Sequence, residues 1–252
     1  MAVQDLKSKM HYRADFIIST VGMLATNFAG FAAFWLIFQS FPSIRGWSYH
    51  EMLFLYSFSL LAQTPNQLFF DNNWSLRFAV FSGDFIKFCF RPINRYFYFI
   101  SEVVDVKGFG QLVFGLWLFI YSWSKIGVPV NIGTILLAMG TLFSASLIMI
   151  AIINFGAATC FWIINSGYII TYLARFKDYA KYPVTIFGGF FRVIFSFVIP
   201  IAYLSFYPSM FFLRPGEAGI LSYISPVVSI LAFYLSYKFW MRGARKYSGT
   251  GS

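Results

Sequence analysis

Few side chains in this sequence could do chemistry on another molecule, and their spacing rules most reactions out. The two histidines, His11 and His50, flank the apolar run 16–38. They cannot share a metal ion or relay a proton if that run crosses a membrane. Cys89 and Cys160 lack metal-ligand spacing and read as reduced, structural thiols. No Gly-x-x-x-x-Gly-Lys-Ser/Thr loop is present to cradle phosphates. A Gly-x-Ser-x-Gly elbow and a His-Glu-x-x-His zinc helix are missing too. Asp and Glu total nine, and none falls at the centre of an expected span, where ion-coupled carriers commonly keep a carboxylate. Recognition, rather than catalysis, is what the remaining residues could support.

Two sets of residues are candidates. The first is the basic, aromatic stretch 82–94, with Asp84, Phe85, Lys87, Phe88, Arg91 and Pro92. Trp74, Phe78, Phe81, Phe85 and Phe88 recur at spacings of four, three, four and three, which places them on one helical face. Gly83 interrupts that face, Asp84 suits an N-cap, and Pro92 disfavours helix at Arg91. Two short helices with a kink, half buried at an interface, are expected. Asp84 would cap the second helix or meet a partner. Phe85 and Phe88 would pack at the lipid interface or against that partner. Arg91 would pair with a headgroup phosphate or a partner carboxylate. The second set is Asn27, Gln63, Asn66 and Asn165. Polar groups at membrane depth must face protein or water, so these would bond between helices or line a cavity.

The elements that must position these residues follow from composition. Of 252 residues, 59% are hydrophobic and 11% charged, against roughly 25% charged in soluble domains. Uncharged runs long enough to cross a hydrocarbon core of about 30 Å recur along the chain. The fold class is therefore all-α: a polytopic membrane protein with six transmembrane helices in one domain, 1–252. Expected spans are 16–38, 52–70, 102–124, 130–153, 157–174 and 218–240. Residues 1–15 read as an interfacial elbow helix and 71–98 as a cytoplasmic segment. Ser48 and Glu51 match a capping box at the start of the second span. The charge-free run 126–174 is too long for one span, and Asn154, Phe155 and Gly156 are the expected tight turn within it. Prolines 200 and 208 break the segment 183–212, which reads as an outer re-entrant hairpin. Arg175, Lys177, Asp178 and Lys181 would then lie outside, and both termini in the cytoplasm. The net charge of +10 points to anionic lipid headgroups, not nucleic acid.

Several short motifs, in this order and spacing, resemble the type-2 permease subunits of bacterial ABC exporters. The nearest pattern is a small-permease subgroup with a Gly-Asp-Phe and Arg-Pro-Ile/Leu-Asn signature. The matching residues are Gly83-Asp84-Phe85 and Arg91-Pro92-Ile93-Asn94, with Gly46-Trp47-Ser48, Tyr182-Pro183, the run 197–202 and Tyr207-Pro208. The resemblance covers nearly the whole chain. It implies that 71–98 is a coupling helix docking on an ATPase, and that two permease chains, identical or paralogous, pair with two ATPase chains. ATP and magnesium would sit on the ATPase, with no cofactor in this chain. It further implies residence in the bacterial cytoplasmic membrane and export by alternating access, and the aromatic share of 23% suits an amphipathic, lipid-like or drug- or peptide-like cargo. A self-sufficient secondary carrier or lipid scramblase is the alternative.

Overall fold

An apolar chain must satisfy its backbone polar groups internally, and this one does so with helices. Among the described residues there is no strand, only an isolated bridge between Ile44 and Trp47. The computed structural model describes residues 13–163 and 166–247. The elbow helix expected over 1–15 falls almost wholly outside them, and Asn165 does so entirely.

The helices are α1 (Arg13–Ser40), α2 (Tyr49–Phe69), α3 (Leu76–Ser82), α4 (Arg95–Ile100), α5 (Lys107–Ile126), α6 (Ile132–Ala158), α7 (Gly167–Arg175), α8 (Gly189–Val193), α9 (Phe206–Leu213), α10 (Ile220–Tyr223) and α11 (Ser225–Lys246). Two stretches, Thr20–Ser40 and Ile132–Phe161, are long and apolar enough to cross a membrane by length and composition. The others of 20–22 residues, α2, α5 and α11, are about 30 Å long at 1.5 Å per residue.

The central helix is α2, buried continuously from Met52 to Thr64. Its start is fixed by the capping box: Ser48 accepts from the Glu51 amide, and the Glu51 carboxylate accepts from the Ser48 amide at 2.8 Å. The neighbour α5 runs antiparallel to it. Gly108 lies on Leu68, Gly115 on Leu61, and Gln111 donates to the Leu60 carbonyl at 2.9 Å. On the other side α11 runs parallel to α6, with Ser144 and Ser229 joined at 3.1 Å and Gly243 under Phe161. The bundle thus has two ends: a turn end holding Arg45 to Ser48, and a platform end holding α3 and α4.

Several expectations change. The turn expected at 154–156 does not form, and α6 continues to Ala158. Asn154 is wholly buried with its side chain bonded inside the bundle, so it has no need of a backbone turn. A span over 157–174 is also missing, because α7 has nine residues, about 14 Å, under half of a hydrocarbon core. The chain instead crosses by a broken path of α7, a 3-10 turn (Phe176–Tyr179), a bend and a second 3-10 turn (Val184–Ile186). Gly167 abuts the Arg77 guanidinium at the platform end, and Thr185 accepts from the Trp47 indole at 2.9 Å at the turn end. Lys177, Asp178 and Lys181 therefore lie along the bundle rather than beyond it.

The chain then dips back. Phe195 packs on Tyr179 at 5.6 Å, and Ser205 donates to the Ala180 carbonyl. Arg214 returns to the turn end, standing 4.0 Å over Trp47 and pairing with Glu51 at 3.1 Å. Two boundaries also move. The helix expected from 102 begins at Lys107, because the Asp105 amide is held by the Leu68 carbonyl at 3.1 Å and Glu102 pairs with Lys87 at 2.8 Å. The last helix runs past 240 to Lys246.

Candidate functional site

At the platform end, Gly83 ends α3 in the left-handed conformation, φ 86°, which glycine adopts without steric cost. That single residue re-aims everything after it. Asp84 to Phe88 form a 3-10 turn in which Phe85 and Phe88 are 0% and 1% exposed. Phe81 and Phe90, by contrast, are 67% and 79% exposed. The single aromatic face expected from spacing is therefore split. Phe85 and Phe88, read as lipid or partner contacts, face inward. Phe85 meets Phe161 at 5.2 Å, Trp240 at 5.8 Å and Tyr247 at 5.2 Å, while Phe88 meets Phe99 at 5.0 Å.

Asp84 is not the N-cap, a place held by Gly83. Its carboxylate accepts from the Ser82 hydroxyl at 2.7 Å and stays exposed. Lys87 is tied to Glu102, and Arg91 stands 5.1 Å over the Tyr98 ring. Pro92 lies exposed in the turn before α4, whose N-cap is Asn94. The outward surface is thus Phe81, Asp84, Ile86, Phe90, Arg91 and Pro92. Sequence reasoning missed Ile86 and Phe90. The signal was Gly83, which marks where a helical face stops being continuous.

The platform is bolted to the bundle through polar bonds, buried at Asn73, Asn154 and Tyr96 and nearer the surface at Asn94 and Arg95. Asn73 donates to Asn154 at 2.8 Å, and the Asn154 amide donates to the Tyr96 hydroxyl at 2.7 Å. Asn94 donates to Tyr237 at 2.6 Å, and Arg95 to the Ala244 carbonyl at 3.1 Å. Burial pushes the Tyr96 hydroxyl above its ordinary range, offset in part by the bond with Asn154. Tyr247 is raised by burial first, then by Cys89 and Asp84. Both stay neutral near pH 7, so the platform's interior holds no tyrosinate charge.

The second site is a cavity of about 340 Å³ between α1, α2, α5 and the 176–181 segment. Asn27, Gln63, Gln111 and Tyr56 line it, with Lys177, Asp178 and Lys181. Close approach of α1 to α2 at Gly30 shapes one wall, since a Cβ there would strike the Tyr56 hydroxyl. That hydroxyl donates to the Asn27 carbonyl at 2.9 Å. The structure brings together two of the four polar candidates, Asn27 and Gln63. Asn66 is buried but lines no part of this cavity. The charged residues were missed because apolar run length placed them outside. Asp178, though exposed, shares this cavity with Tyr56, Ser59 and Leu60 of α2 rather than lying in a loop beyond the bundle.

The sequence model for ABC-2 family transporter proteins matches residues 22–251, nearly the whole chain, and the chain belongs to that family. Proteins of that family are the transmembrane component of ABC transporters and normally work with separate ABC ATPase subunits. No curated protein and no solved structure matches the chain.

Proposed function

We propose that this chain is an exporter permease of the small type-2 subgroup, acting by alternating access in a bacterial cytoplasmic membrane. The bundle makes six passes, counting the broken path 167–186 as the fifth, with the re-entrant segment on the outer side. Both termini and the platform face the cytoplasm, where the platform docks on an ATPase. Two permease chains and two ATPase chains complete the transporter, and the cargo is amphipathic. The observation that carries this reading is the two-sided 3-10 turn. Phe85 and Phe88 anchor it in the core, while Asp84, Ile86 and Phe90 are left outward as a docking surface. A rigid back and an exposed apolar-plus-charged front are what a coupling element needs, because a motion imposed on the front must not be absorbed by soft packing behind it.

The test is copurification with the ATPase subunit. Asp84→Lys and Phe90→Glu are expected to abolish association and transport-linked ATP hydrolysis, while the thermal unfolding midpoint of the isolated chain stays unchanged. Retained association in both variants, or ATP-independent transport by the purified chain, would overturn the reading in favour of a self-sufficient carrier or scramblase.

A further inference from the structure

The cavity between α1, α2, α5 and the 176–181 segment holds charges that the bundle does not neutralise. Lys177 and Lys181 face a single carboxylate, Asp178, and the ion pairs among the described residues reach none of the three. Lys181 is held over aromatic rings instead, 5.4 Å from Tyr182 and 5.9 Å from both Phe34 and Tyr56. Such rings stabilise an ammonium without a counter-charge, so Lys181 remains available to an incoming anion. A second observation points the same way. Asn27 is 5% exposed, lines this cavity, and its amide nitrogen has no acceptor. A buried donor left unpaired is costly, and turning the Asn27 amide toward an acceptor in the cavity would relieve it.

Depth matters as well. Tyr56, Ser59 and Leu60 occupy the middle third of α2, with Gln63 just beyond it, and Gly22 to Gly30 the middle of α1. Ionisable groups at such depth mark a ligand pathway when nothing nearby neutralises them. Two cations, one carboxylate and an orphaned N–H donor complement an oxyanion rather than a cation. The volume of about 340 Å³ admits a headgroup, not a whole amphiphile.

We propose that this cavity binds a phosphate or carboxylate group, with Lys177 and Lys181 supplying charge, Asn27 an amide donor, and Asp178 limiting the excess to one positive charge so that the group can leave. This deepens the permease reading, on which it rests, by naming the charge class of the cargo.

The test is calorimetric titration of the full chain in a non-ionic detergent, with empty micelles subtracted. Dodecyl phosphate is expected to bind saturably at one site per chain, and dodecyltrimethylammonium not to saturate. The Lys177→Gln/Lys181→Gln double variant should lose about tenfold or more in affinity, equivalent to about 1.4 kcal/mol. Lys177→Arg/Lys181→Arg should keep binding, which separates loss of charge from misfolding. Asp178→Asn should tighten it. Competition by inorganic phosphate at similar concentration would identify a free anion as ligand, and its failure to compete a lipid-like headgroup. Either outcome supports the site. Equal dodecyl phosphate affinity in the Lys→Gln variant, or saturable binding of the ammonium amphiphile alone, overturns it. No ATPase enters the titration, so a failed ATPase association and a failed anion site remain separate results.

Discussion

At the platform end, Asn154 is wholly buried, with its amide oxygen bonded to Asn73 and its nitrogen to Tyr96. Half-way along the bundle, Asn27 is buried almost as deeply, and its amide nitrogen is bonded to nothing. Orphaned atoms occur at the platform too, on the Asn73 amide oxygen, the Trp240 indole and the Tyr247 hydroxyl, so the contrast lies in the charges. Lys87 has Glu102 at 2.8 Å, whereas Lys177 and Lys181 share a cavity with a lone carboxylate. A network bonded within the fold fixes relative positions and transmits displacement. A cluster left short of partners is a site waiting for one, because low dielectric makes unmet donors and charges costly. The two regions therefore fit the two proposed roles, docking and anion binding.

Three measurements sharpen or break that contrast. The largest effect is expected from Phe85→Glu, which puts an unpaired carboxylate among Phe99, Phe161, Trp240 and Tyr247. The cost should exceed about 3 kcal/mol, seen as loss of monodisperse protein on size exclusion. Phe90→Glu, at an exposed position, should elute as the parent does. If both variants elute alike, the two-sided platform is wrong.

Next in size is Asn154→Leu. It strands the Asn73 amide and the Tyr96 hydroxyl, at about 1–3 kcal/mol each. The unfolding midpoint should fall by roughly 5–10 °C when followed by intrinsic fluorescence. An unchanged midpoint would remove the network as the link between platform and bundle.

The smallest effect belongs to the cavity. Lys177→Gln/Lys181→Gln should shift stability by no more than about 0.5 kcal/mol, since the excess in the cavity only passes from one positive charge to one negative. A pronounced destabilisation in the same assay would make these lysines structural, and would erase the distinction between the two regions.

How much was legible in the sequence differs from element to element. The Ser48–Glu51 capping box was legible because it is local: its partners lie within one helical turn. The kink at Gly83 was legible too, but its consequence was not. A residue at φ 86° rotates the following turn, so helical spacing across it no longer reports a common face, and Phe85 parted from Phe81. The Asn154 turn failed for a different reason. Asn favours turns when its side chain bonds nearby backbone, yet here its partners are Asn73 and Tyr96, distant in sequence.

By itself the sequence determined the class: a helical, apolar chain with no ATP loop and a surplus of basic residues. Those properties follow from composition and local order. Only the tertiary structure decided where the charges near 177–181 lie, since depth in a bundle depends on which elements bring the two ends together. Arg77 against Gly167 and Trp47 with Thr185 fix that path. Through it, an apparent external loop becomes the wall of a charged cavity.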